Sequence, residues 1–137
     1  MMEDTFYTIQ QITPELVFIR WHGTPHKDHV ANHNWVEDIH RLLEQASVPQ
    51  YFFSDVRKGY ATSIQAINRL AKVIQHNNYG GGVALGHNLA SRTYVSLTER
   101  IADRDESIYY HRLRDALDAL DELKPGISKT VDWNRLL

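Results

Sequence analysis

The sequence predicts an α/β fold: a mixed, mostly parallel sheet flanked by helices in the order β-β-α-β-α-β-α-β-α. Three observations point there. The apolar pattern switches repeatedly between strand-like runs and helical spacing. The run Gln50-Tyr51-Phe52-Phe53-Ser54-Asp55-Val56 is almost continuously apolar, as suits a central strand covered on both faces. Strands that alternate with helices need crossover connections, which make neighbouring strands parallel. A chain of 137 residues suits one domain, taken here as 1–126, with a tail over 127–137.

Thr5 to Gln10 and Leu16 to Trp21 are rich in β-branched and aromatic residues and are separated by Thr13-Pro14-Glu15, which predicts an antiparallel hairpin. Gly23, Thr24 and Pro25 stop the second strand. From His26 to Ala46, the residues Ala31, Trp35, Ile39, Leu42, Leu43 and Ala46 form one stripe of an amphipathic helix. Ser47-Val48-Pro49 ends it before the central strand. Ser63 or Thr62 is positioned to cap the next helix, whose buried side is expected to carry Ile64, Ile67, Leu70, Ala71, Val73 and Ile74. The strand Gly82 to Leu85 follows, and Gly86 releases the chain into a helix over 88–102 with Leu89, Val95, Leu97 and Ile101 facing inward. After the charged turn Asp103-Arg104-Asp105-Glu106, a short strand over 108–110 leads to a last helix. That helix presents Leu113, Ala116, Leu117 and Leu120 at i, i+3, i+4 and i+7 and ends at Pro125-Gly126.

Composition narrows the function classes. The absence of cysteine removes disulfides, thiolate metal sites and cysteine nucleophiles. A net charge of -2 argues against a general nucleic-acid binder. No apolar run approaches the length of a membrane span, and the acidic start Met1-Met2-Glu3-Asp4 is unlike a signal peptide, so a soluble cytoplasmic protein is expected. The glycines of Tyr79-Gly80-Gly81-Gly82 precede a strand rather than a helix N-terminus, and no Gly-Lys-Ser/Thr follows, so they are not a phosphate loop. No Gly-x-Ser-x-Gly elbow is present.

The element order, the strand ending Phe53-Ser54-Asp55, the segment Tyr79 to Gly86 and the terminal Leu113-Arg114-Asp115-Ala116-Leu117-Asp118-Ala119-Leu120 together resemble the STAS superfold. The likeness is to SpoIIAA-like bacterial proteins related to anti-sigma factor antagonists and, more distantly, to lipid-binding Sec14 domains. It implies a non-catalytic regulatory or binding module that acts through a protein partner or a small apolar ligand. In the antagonists, a serine at the start of the helix after the third strand is phosphorylated by a partner kinase. Here that region reads Asp55-Val56-Arg57-Lys58-Gly59-Tyr60-Ala61-Thr62-Ser63-Ile64, without the Asp-Ser-Ser-Gly signature. Ser63 is the candidate phosphosite by position, and a helix cap by residue type.

Two sets of residues could carry chemistry. His29 and His33, at i, i+4 with Glu37 one turn on, have the spacing to share a metal ion; the alternative is a hydrated histidine-rich helix face. The carboxyl ends of parallel strands share one rim, which would gather His22, Asp55, Arg57, Ser63, His87, Asn88 and His111 as a ligand or partner surface. Its rival reading is a metal-dependent or acid/base enzyme built on His22, His87, His111 and Asp55. No cofactor is implied. The apolar tail ending Val131-Asp132-Trp133-Asn134-Arg135-Leu136-Leu137 is expected to dock on the domain or at the interface of a homodimer.

Overall fold

Alternation along the central strands sets the layers, because successive side chains of a strand point to opposite faces. In the computed structural model, which describes residues 2–3, 5–104 and 108–137, Val17, Ile19 and Trp21 join one apolar cluster, and Leu16 and Phe18 join another. Phe52 and Ala84 belong to the first cluster, Phe53, Val83 and Leu85 to the second.

The sheet contains β1 (Met2–Glu3), β2 (Tyr7–Gln11), β3 (Leu16–Trp21), β4 (Gln50–Asp55), β5 (Tyr79–Leu85) and β6 (Tyr109–Tyr110), in that spatial order. The pairs β1–β2 and β2–β3 are antiparallel; β3–β4, β4–β5 and β5–β6 are parallel. The hairpin and the central β4 are as the sequence predicts. The two-residue β1 was not anticipated, being too short to show a period. Asp105 and Glu106 of the expected charged turn lie outside the described residues.

Helices α1 (Ala31–Gln45), α2 (Ile64–Val73) and α3 (Leu89–Ile101) supply residues to the first cluster, with α1 packed on α2 and α2 on α3. Helix α4 (Leu113–Leu123) covers the opposite face through Ala116 and Leu120. A 3-10 turn over Ile127–Thr130 and the short α5 (Trp133–Leu136) complete that side. The tail therefore docks on its own domain. Trp133 lies against Phe53 with ring centroids 4.7 Å apart, its indole N–H donates to the Ser128 carbonyl at 2.9 Å, and Arg20 donates to the Leu136 carbonyl at 2.8 Å. Burial of this tryptophan needs no second copy, which removes the observation on which the homodimer expectation rested.

One expected helix start and two expected buried faces are corrected. Helix α1 starts at Ala31 rather than His26, because residues 26–30 form turns closed by His29 N–H to the His26 carbonyl and by the Asp28 and Ala31 amides to histidine ring nitrogens. Ile64, at the first position of α2, is 49% exposed. Leu89 and Ile101 of α3 are exposed, while Ser91, Thr98 and Glu99 are buried. With Val95 and Ala102 these occupy i, i+4, i+7, i+8 and i+11, a true helical stripe that hydropathy hides because three of its members are polar.

Candidate functional site

The carboxyl-end rim is built around Asp55, the last residue of β4 and 4% exposed. Arg57 closes on it as a fork: Nε donates to Oδ1 and Nη2 to Oδ2, both at 2.9 Å, and its backbone N–H donates to Oδ1 at 3.1 Å. Arg20 adds Nε to Oδ2 at 3.4 Å. Burial alone would raise the Asp55 carboxyl, but the Arg57 hydrogen bonds and the charges of Arg57 and Arg20 carry it below the usual value; the same contacts raise Arg57. The carboxylate is thus committed to two arginines, an arrangement that joins β3, the loop after β4 and the tail.

The other predicted rim residues serve separate local tasks. His22 Nε2 lies 2.7 Å from Thr8 Oγ1. Asn88 caps α3, its side chain accepting from Ser91 N–H at 2.8 Å. The His111 ring meets Tyr109 edge-on at 5.5 Å, and His87 is exposed. Tyr109 holds the β5–α3 turn through contacts to Asn88 and Ser91, and Gly86 is required there because any Cβ would overlap the Tyr109 phenol. Ser63 is 5% exposed and caps α2, its hydroxyl accepting from Ala66 N–H at 3.1 Å.

The histidine-rich segment comes apart in the same way. His29 precedes α1 and packs edge-on against Phe6 at 4.8 Å; His33 lies inside α1, so the pair does not share one helix face. Glu37 is paired with Arg69. Among the described residues no three histidine, aspartate or glutamate side chains come together as a metal site.

A different feature lies on the α1–α3 side of the sheet: a cavity of about 90 Å³, or about 740 Å³ of unfilled space when its solvent-facing side is included. It exists because the two central strands present small residues there, Ser54 from β4 and Gly82 and Ala84 from β5, beneath three helices held apart by larger side chains. Its walls are Trp35 and Ile39 of α1, Ile67 and Leu70 of α2, and Tyr94, Val95 and Glu99 of α3. Tyr60 and Tyr94, both half-buried, stack at 5.5 Å on its boundary. Sequence reasoning allowed a small apolar ligand in a gap between a helix and the sheet but named none of these lining residues, although a signal was available: Ser54, Gly82 and Ala84 are undersized for core-facing positions in central strands.

The spacing of α1 from α2 is set by Asn32, which is fully buried. Its Oδ1 accepts from Thr62 N–H at 2.7 Å and Ser63 N–H at 3.3 Å, and its Nδ2 donates to the His26 carbonyl at 3.2 Å. On the α3 side, buried Glu99 pairs with Arg104 at 3.2 Å, and the Arg104 guanidinium lies over the Tyr79 ring. Burial, and then the neighbouring Glu99 charge, push the Tyr79 phenol well above its ordinary range, so it stays protonated.

No family model matches the chain, and no curated protein matches its sequence. Among solved structures it is similar to the anti-sigma factor antagonist SpoIIAA in its unphosphorylated form, with a TM-score of 0.58, 12% identity, and coverage of 85% of this chain and 96% of that one. It is also similar to an uncharacterised DUF3478-family protein with a SpoIIAA-like fold from Shewanella loihica, with a TM-score of 0.52, 15% identity, and coverage of 87% and 98%. The chain has the SpoIIAA-like fold, as the resemblance in its sequence implies. Among the described residues no helix is long and apolar enough to cross a membrane.

Proposed function

We propose that this protein is a non-catalytic binding module whose cavity between the sheet and α1–α3 takes a small apolar ligand. The cavity itself is the observation that carries the reading. Its lining is dominated by aliphatic and aromatic side chains with a few polar groups, the usual make-up of a small-molecule site. Its size sets a limit: at about 90 Å³ it is smaller than the roughly 150 Å³ engineered cavity that holds benzene. With the solvent-facing side added it suits one small ring or a short chain rather than a whole lipid. The test is thermal unfolding against toluene concentration. A ligand bound only by the folded state, at ten times its Kd, stabilises by about 1.4 kcal/mol, or roughly 4 °C for a chain of this size. Ala84→Val and Ser54→Val, which fill the hollow, are expected to lose that rise. An unchanged midpoint in the wild type would overturn the reading.

A second reading, a regulatory protein partner, is favoured by a separate observation. Val30, Ile64 and Leu89 are 59%, 49% and 77% exposed, and they stand at the starts of α1, α2 and α3. Each of these helices follows a strand of the sheet, so the three apolar side chains belong to one rim. The fold shared with an anti-sigma factor antagonist supports a regulatory role of this kind. A partner that co-purifies with the wild type and is lost with Ile64→Asp and Leu89→Asp, but not with Val48→Asp, would support it; equal capture by all three variants would count against it.

A further inference from the structure

The buried serine and threonine hydroxyls of the described residues are each hydrogen-bonded. Ser63 accepts from the Ala66 N–H at 3.1 Å, Ser91 lies 2.7 Å from the Tyr109 phenol oxygen, Ser128 donates to Asp121 at 2.6 Å, and Thr98 donates to the Tyr94 carbonyl at 3.2 Å. Ser54 differs from all of them. It stands in central β4 between Ile19 of β3 and Ala84 of β5 in register, with Phe52 and Val56 next along its own face. None of those side chains can hydrogen-bond, and among the described residues nothing pairs with the Ser54 hydroxyl. The side chain is nonetheless reachable. Pairing on both sides of β4 places the Ser54 backbone inside the sheet, so the accessible part of this half-buried residue is its side chain. Alternation with Phe53, which belongs to the opposite cluster, directs it into the cavity.

A hydroxyl in such surroundings is a cost that alanine would avoid, unless something that enters the cavity pairs with it. Taking the ligand-binding reading above as its basis, we propose that Ser54 is the polar anchor of the cavity, its hydroxyl bonding the one hydroxyl or carbonyl of a small, neutral, otherwise apolar ligand. Either group suits, because a serine hydroxyl both donates and accepts. Of the three small residues that create the hollow, Ser54, Gly82 and Ala84, it alone carries a hydrogen-bonding side chain. The other hydroxyls of the lining have different settings: Tyr60 and Tyr94 stack on each other at the boundary, Tyr79 stacks on Phe52, and Thr98 is engaged with the Tyr94 carbonyl. Charged molecules do not fit. Glu99 in the same wall repels an anion, and its pairing with Arg104 at 3.2 Å leaves it committed when a cation arrives. Either ion would lose its hydration without compensation.

Toluene and phenol have nearly the same shape and differ by a methyl in place of a hydroxyl, and phenol is uncharged near neutral pH. Each is titrated into ¹⁵N-labelled wild type and Ser54→Ala, with binding followed by the backbone amide shifts of Ile19 and Ala84, the register neighbours of Ser54. Comparing the four pairs cancels the different costs of dehydrating the two ligands. The expected result is that Ser54→Ala weakens phenol about tenfold, the loss of one hydrogen bond, and leaves toluene within about twofold. Binding of neither molecule by the wild type would overturn the ligand-binding reading and this inference with it. Toluene bound, with phenol weakened no more than toluene by the substitution, would leave the first standing and overturn the second. If Ser54→Ala does not fold, a crystal of the wild type with phenol decides. A phenol oxygen within hydrogen-bond distance of Ser54 Oγ supports the assignment, and one turned toward Tyr60, Tyr94 or Thr98 overturns it.

Discussion

Removing the Asn32 side chain tests how the cavity is held open. Asn32 is fully buried at the start of α1, and its amide spans to the loop that begins α2, so it ties together two of the three helices that roof the cavity. Asn32→Ala deprives the Thr62 and Ser63 N–H groups of their acceptor and takes one donor from the His26 carbonyl, which keeps the His29 N–H. Each buried amide left unmade costs about 1–3 kcal/mol. The two together would cost about 2–6 kcal/mol, with the lower half expected because truncation to alanine lets water approach the loop. A loss of about 3 kcal/mol, divided by a urea dependence of about 2 kcal/mol per molar, lowers the unfolding midpoint by about 1.5 M. Asn32→Asp keeps an oxygen for both amides at the beginning of a helix, where negative charge is favoured, but loses the Nδ2 donor shared among the His26, Lys27 and His29 carbonyls and Thr62 Oγ1; it should cost less than the alanine variant. The assay is urea unfolding of the three proteins with the slope required to stay constant. An alanine variant within 0.5 kcal/mol of wild type, or an aspartate variant as damaged as the alanine one, would refute the reasoning.

Other consequences concern the two faces of the sheet. Trp133→Ala removes the cover from Phe53 and should destabilise by about 3–5 kcal/mol, read by denaturant unfolding; a negligible loss would mean that the tail does not dock. Asp55 has a lowered carboxyl value, so its contribution is complete above the unfolded value near 3.8 and is lost as pH falls below that toward the folded value. Accordingly, Asp55→Asn should be less stable than wild type at neutral pH, and the gap should shrink as the solution is acidified below about pH 4, measured as urea midpoints across pH. Leu89→Ser, at an exposed site, should stay within about 0.5 kcal/mol of wild type by the same measurement.

Much of the layer structure was legible in the sequence because strands and helices differ in period. The hairpin, the continuous apolar β4 and the i, i+3, i+4, i+7 stripe of α4 each carry a signal set by their own residues. The buried face of α3 does not, since Ser91, Thr98 and Glu99 are buried by what they bond to rather than by hydropathy. Asn32 escaped notice for the same reason, a polar residue on an apolar stripe whose partners lie about thirty positions away. The rim was legible as a place but not as a chemistry. Topology brings Asp55 to the strand ends, yet only the folded chain shows that Arg57 and Arg20 occupy its carboxylate. The cavity was the least legible, because a void is a property of what three helices fail to fill above Ser54, Gly82 and Ala84.

The central claim, that this hollow is an apolar ligand site, is tested most directly by a crystal pressurised with xenon, which occupies dry cavities and is visible by its scattering. The account predicts a xenon peak bounded by Ile19, Trp35, Leu70 and Val95, abolished in Ala84→Val. Crystals in which side chains close the space, or in which ordered waters fill it and xenon binds elsewhere, would contradict it.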